Sequence, residues 1–128
     1  MIKISLETGS ASKFTANLHR KQRLTIAAGK EAVYEAARYV YDDSQERVPF
    51  VTGALWASGT VARDDENNVG RSVIGYGDST LNPATGKTTA SYAEDVEADH
   101  KFLENALLDN ATYVGEILRA RVAQEFQS

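Results

Sequence analysis

The sequence predicts an α+β domain: a long N-terminal helical segment, a small mostly antiparallel sheet with a central hairpin, and a long C-terminal helix. Three observations predict it. The apolar or small residues Ile26, Gly29, Val33, Ala36, Ala37 and Val40 recur at helical spacing. Leu55–Arg63 and Val69–Tyr76 each alternate in character on either side of the polar stretch Asp64–Asn68, which is the pattern of a hairpin. Leu103, Ala106, Leu107, Val114, Ile117, Leu118 and Val122 draw an apolar stripe along the last part of the chain. At 128 residues, residues 1–128 suit one domain that buries about two-thirds of the surface its unfolded form exposes.

In chain order, Ile2, Ile4 and Leu6 alternate with Lys3, Ser5 and Glu7 as a half-buried strand does. Thr8-Gly9-Ser10 ends that pattern, and Phe14 and Leu18, four apart, predict a short helix from about Ser10 to Lys21. The main helix is expected over about Leu24 to Glu46, with Gly29 a point where it could break or bend. Pro49 lacks a backbone donor and pushes Val48 out of helical conformation, and Gly53 permits a positive φ, so Val48–Ser58 reads as a helix-to-strand corner. Residues 77–89 have little to bury and predict a long surface loop, a candidate arm for touching a partner. Ser91–Ala98 suits either a strand or a helical turn and is taken as a third strand. Asp99 is expected to cap a final helix running to about Phe126.

The composition sets limits on function. A net charge of -4 with both signs interspersed argues against a protein whose main work is gripping a phosphate backbone. The basic cluster His19–Arg23 reads as a solvated helix face, and Arg119 and Arg121 as cations near a helix C-terminus. Without cysteine there is no disulfide, thiolate zinc site or thiol nucleophile. No stretch reaches membrane-spanning length, and polar residues after Leu6 leave no signal-peptide core, so a cytoplasmic site of synthesis and no membrane partner are expected.

Residue patterns that carry chemistry are few. Gly86-Lys87-Thr88 matches the end of a phosphate-binding loop, but Leu81 occupies the earlier glycine position and Pro83 interrupts it. His19 and His100 lack a serine nucleophile in a recognisable setting. Asp64, Asp65 and Glu66 are adjacent, not spaced like a calcium loop. No catalytic residue, metal site or cofactor is therefore expected. Tyr34 and Tyr41, seven apart on the long helix, suit either the core or an interface. Trp56 beside the corner, Tyr41, and Leu81 and Lys87 on the loop are the interface candidates. An alternative is a small cytoplasmic enzyme or ligand-binding domain with a site between the hairpin and the 77–89 loop, using Asp64, Asp65, His100 or Lys87.

The order of residues adds a resemblance. Pro49-Phe50-Val51-Thr52-Gly53-Ala54-Leu55-Trp56-Ala57-Ser58 resembles the proline, any, aspartate, threonine, glycine, any, leucine, arginine, any, serine signature of the tail-completion, or minor capsid, proteins of tailed bacteriophages. Tyr92-Ala93-Glu94-Asp95-Val96-Glu97 is similar to that family's Tyr-Ala-x-x-Val-Glu segment, and Phe102-Leu103 with Ala106 to the opening of its last helix. Val51 stands in place of the usual aspartate and Trp56 in place of the usual basic residue. The resemblance covers about residues 25 to 126. It marks Pro49, Thr52, Gly53, Leu55, Ser58, Tyr92, Ala93, Glu97, Phe102 and Leu103 as the structural motif. It implies a non-enzymatic virion protein of the head-tail junction, or neck, assembled in the host cytoplasm. Such a protein forms a ring, hexamer or dodecamer, that touches head connector and tail tube proteins, with DNA at most passing through.

Overall fold

A computed structural model describes residues 2–7, 22–67 and 69–127. The expected helix at 10–21, with His19, lies outside them. The protein is α+β, with a three-stranded antiparallel sheet and helices packed on one face. Strand β1 (Ile2–Glu7) leads to helix α1 (Gln22–Arg47), the one-turn helix α2 (Ala54–Ala57), and strands β2 (Thr60–Arg63) and β3 (Arg71–Tyr76). Three helices follow: α3 (Ala93–His100), α4 (Phe102–Asp109) and α5 (Ala111–Gln127). The strand order is β1-β3-β2, with Ile4 and Val61 both opposite Ile74.

Helix α1 is the axis of the domain and runs through Gly29 without a break. Its buried face, Ala32, Val33, Ala36, Ala37 and Val40, consists of small side chains, which lets the sheet and the C-terminal helices approach closely. Ser44 continues this face and shares a 2.7 Å hydrogen bond with the buried Tyr76 hydroxyl, while its own hydroxyl reaches the Tyr41 carbonyl at 2.7 Å. Tyr76 meets Phe102 edge-on, with ring centroids 4.9 Å apart, so β3 and α4 join beneath α1. On the flank facing α4 and α5, Arg47 pairs with Asp43 and with Asp109, and Asn110 donates to Asp43 and to the Ala106 carbonyl.

Four expectations are corrected. The strand expected from Leu55 begins only at Thr60, because Ala54–Ala57 form a helical turn. Ala54, Leu55 and Ser58 are buried while Trp56 and Ala57 are exposed, a spacing of one, then three, that a helix satisfies and a strand cannot. The strand expected at 91–98 does not form, and the sheet consists of the expected N-terminal strand β1 with β2 and β3. Ala93–His100 is helical, with Glu94 and Asp95 in its first turn, where carboxylates complement the helix dipole. The last helix is divided: Lys101 is left-handed at φ 51°, and Asn110, at φ -106°, separates α4 from α5. Asp99 lies in the last turn of α3 and so does not cap the last helix. The Glu97 carboxylate instead accepts from the backbone N–H groups of Leu103 and Glu104, both at 3.0 Å, and so supplies the N-terminal cap of α4.

The 77–89 segment is a folded arm. Leu81 and Thr88 form an isolated antiparallel bridge, and the Asn82 N–H donates to the Lys87 carbonyl at 2.8 Å. At its base the fully buried Thr89 accepts from the Asp78 N–H at 2.9 Å. Hydrogen bonds from Thr80, through its side chain and its backbone, and from Thr89 hold the Asp78 carboxyl below the usual carboxylate range.

Candidate interaction surface

The corner after α1 is built from conformational restrictions. Pro49 ends the helix, and Gly53, at φ 83°, turns the chain into α2. A side chain at Gly53 would put its Cβ 2.8 Å from Phe50 Cζ as well as straining the backbone. Thr52 Oγ1 accepts from the Ala54 N–H at 3.3 Å. Ser58 closes the turn: its buried hydroxyl donates to the Leu55 carbonyl at 2.6 Å and accepts from the Gly77 N–H at 2.9 Å, tying α2 to the end of β3. The next residue, Gly59, has room for nothing larger, since a Cβ there would lie 2.7 Å from the Tyr76 ring and 2.8 Å from Gln45 Nε2.

These constraints turn a short loop outward. Phe50 is 67% and Val51 89% exposed, and Trp56 remains 44% exposed with its ring edge-on to Phe50 at 5.9 Å. Beneath them a pocket of about 100 Å³ is lined by Pro49, Val51, Thr52, Gly53, Leu55 and, from elsewhere in the chain, Asn82, Tyr92 and Val96. The arm thus borders the corner through Asn82, and the neighbouring Leu81 is exposed. Lys87, exposed on the arm, has no ion pair among the described residues.

Of the residues expected at an interface, Trp56, Leu81 and Lys87 are exposed. Tyr41 is half-buried against the core and its hydroxyl is occupied, donating to the Gly59 carbonyl at 3.1 Å and accepting from Gln45 Nε2. All ten motif residues share one connected region. Leu55, Ser58, Ala93, Phe102 and Leu103 are buried in it, Pro49, Thr52, Gly53 and Tyr92 line the pocket, and Glu97 caps α4. Burial pushes the Tyr76 phenol far above its ordinary range, with the Ser44 hydrogen bond opposing that shift, so the residue is a neutral structural group. Sequence reasoning passed over Phe50 and Val51. The signal was present in their position between Pro49 and Gly53, a loop too short to fold its tip inward.

The residues of the alternative site are not brought together. Asp64 pairs with Arg71 at 2.6 Å, and Asp65 with Arg63 at 2.9 Å, at the hairpin tip, whereas the arm with Lys87 follows the other end of β3. His100, expected near a helix start, is the exposed last residue of α3. Gly86-Lys87-Thr88 turns the tip of the arm and leads into a 3-10 turn, Thr89–Ser91, not into a phosphate-binding helix. Among the described residues, no three of His, Asp and Glu are grouped to hold a metal ion, and no helix is long and apolar enough to cross a membrane. A shallow hollow of about 660 Å³ between α1 and α5 is lined by Glu31, Glu35, Arg38 and Arg121, and Arg121 lies 3.1 Å from Glu35 across it. Compared with protein-family models, with curated proteins and with solved structures, the chain matches none.

Proposed function

We propose that this protein is a structural component of the head-tail junction of a tailed phage, acting through docking surfaces and not through catalysis. The observation that carries the reading is the convergence of the three stretches that resemble the tail-completion family. Pro49–Leu55 and Tyr92–Val96 border one pocket, and Glu97 caps the helix that opens with Phe102-Leu103. Stretches well separated in the sequence thus form one local arrangement, as a signature of shared architecture requires. The exposed Phe50, Val51 and Trp56 at the corner support docking, because aromatic and aliphatic side chains at the surface are the usual anchors of protein interfaces. In this reading the subunit closes a homo-oligomeric ring, hexamer or dodecamer, against head connector or tail tube proteins.

Native mass measurement tests it, on the protein alone and mixed with connector and tube proteins of the phage that encodes it. A discrete oligomer, or a complex with either neck protein, is expected. A protein that stays monomeric and binds neither overturns the proposal.

A further inference from the structure

The register of the sheet leaves one backbone edge open. The Asp64 N–H donates to the Arg71 carbonyl at 2.7 Å, so these two residues turn their backbone groups toward each other across the ladder. Antiparallel pairing alternates, and the pairs Ala62↔Val73 and Thr60↔Gly75 therefore do the same. The N–H and C=O groups of Val61 and Arg63 point the other way. No hydrogen bond joins them to another of the described residues. Thr60, Ala62 and Arg63 are exposed and Val61 is half-buried.

Edges of this kind are usually blunted by proline, lysine or a bulge. Strand β2, Thr-Val-Ala-Arg, carries none of these, and its register with β3 is unbroken. Its one charge is turned onto α1: the Arg63 guanidinium lies 2.7 Å from Glu31, 2.9 Å from Asp65 and 5.6 Å over the Tyr34 ring. Val61, on the same face of the strand, packs against the core. Helix α1 forms a shoulder along this side, since Tyr34 meets Arg63 and the Tyr41 hydroxyl reaches the Gly59 carbonyl. At about 100° per residue, Arg38 lies within roughly 60° of both tyrosines and so stands between them beside β2. It is exposed and has no hydrogen bond or ion pair among the described residues. Of the acids nearby, Glu31 is held by Arg63 and Glu35 by Arg121. Asp42 lies about 40° further round the helix, toward Tyr39, which stacks on Tyr113 of α5.

We infer that the β2 edge takes an extended segment of a partner protein as a fourth strand, with a carboxylate side chain on that segment meeting Arg38. Val61 and Arg63 supply the backbone donors and acceptors, and alternate side chains of the segment lie on the α1 side, beside Val61 and Tyr34. A second copy of β2 does not suit this edge, because antiparallel self-pairing brings two unpaired Arg38 cations together. The inference needs neither the ring nor the neck reading.

Amide hydrogen exchange with a model strand tests it. The probe is an acetylated, amidated peptide that alternates threonine with valine and has glutamate at one central valine position. A second peptide carries lysine there, and a third is the glutamate peptide N-methylated at its valines, whose N–H groups would face β2. Added at up to about 1 mM, the glutamate peptide should slow exchange at Val61 and Arg63 and leave Thr60 and Ala62, already in the ladder, unchanged. The lysine peptide should bind about two- to fivefold more weakly, the worth of an exposed ion pair, and Arg38→Glu should reverse that order. Val61→Pro removes an outward donor and no bond to β3, so the folded variant should not bind the glutamate peptide. The N-methylated peptide makes the same test on the unaltered protein and should not bind either. Unchanged exchange at Val61 and Arg63, equal binding of the two charged peptides, or binding that survives N-methylation overturns the inference. Protection of Val61 and Arg63 that grows with protein concentration in the absence of peptide also overturns it, since a second copy is then the occupant.

Discussion

Replacing Ser58 by alanine isolates the bond that ties α2 to β3. The Ser58 side chain is buried, and its hydroxyl is the acceptor for the Gly77 N–H at 2.9 Å. The Leu55 carbonyl, to which it donates, keeps another partner in the Ser58 N–H at 3.1 Å. The Gly77 N–H does not, so the substitution leaves one buried donor unpaired, which costs about 1–3 kcal/mol. Unfolding entropy of roughly 2 cal/mol/K per residue gives a domain of this size about 0.27 kcal/mol/K, so the melting temperature should fall by roughly 4–11 °C. Urea titration followed by the fluorescence of Trp56, the only tryptophan, should show a lower midpoint with an unchanged slope. Ser79→Ala, at an exposed position of the arm, serves as the control and should stay within about 0.5 kcal/mol of wild type. A Ser58→Ala protein as stable as that control would refute the reasoning, since it would mean that the Gly77 donor is satisfied elsewhere.

The remaining predictions concern the corner, the α4 cap and the arm. Gly53→Val, which forces a branched side chain onto a φ of 83° and into the Phe50 ring, should cost at least about 1–3 kcal/mol in a denaturation curve. Trp56→Ala should leave circular dichroism near wild type and lower the native mass; the reverse pattern would make Gly53 dispensable and Trp56 a core residue. Glu97→Ala removes the acceptor for two N–H groups at the start of α4 and should lose about 0.5–2 kcal/mol, detectable as faster hydrogen exchange at Leu103 and Glu104. Because the folded Asp78 carboxyl titrates below its unfolded value, its stabilisation is present above the unfolded pKa and disappears as pH falls through the folded one. Asp78→Asn should therefore flatten the acid limb of the stability profile, and an identical limb in both proteins would count against the Asp78 hydrogen bonds.

Much of this architecture is written in short-range pattern. The 26-residue α1 follows from the spacing of Val33, Ala36, Ala37 and Val40, and β3 from the alternation of Ser72, Ile74 and Tyr76, because each residue type repeats over enough positions to distinguish a helix from a strand. The corner was equally legible, since proline and glycine restrict or release the backbone wherever they occur. Elsewhere local pattern was insufficient. Four residues at 54–57 and eight at 93–100 carry too few apolar positions to separate the two periods, and contacts distant in sequence decided them. Ser58 reaching Gly77 fixes the turn of α2, Glu97 reaching across Lys101 fixes the start of α4, and β1 occupies the edge of β3 that a third strand at 91–98 would have needed. The candidate surface divides in the same way. Trp56, Leu81 and Lys87 were visible as side chains with little reason to be buried, whereas the withdrawal of Tyr41 into the Gly59 contact and the pairing of Tyr39 with Tyr113, far apart in the sequence, depend on how the helices pack. Sequence by itself determined which segments bury a face and where the chain must turn, because those follow from residue chemistry at close spacing; only the tertiary structure decided which faces remain uncovered, because that depends on every other element being in place.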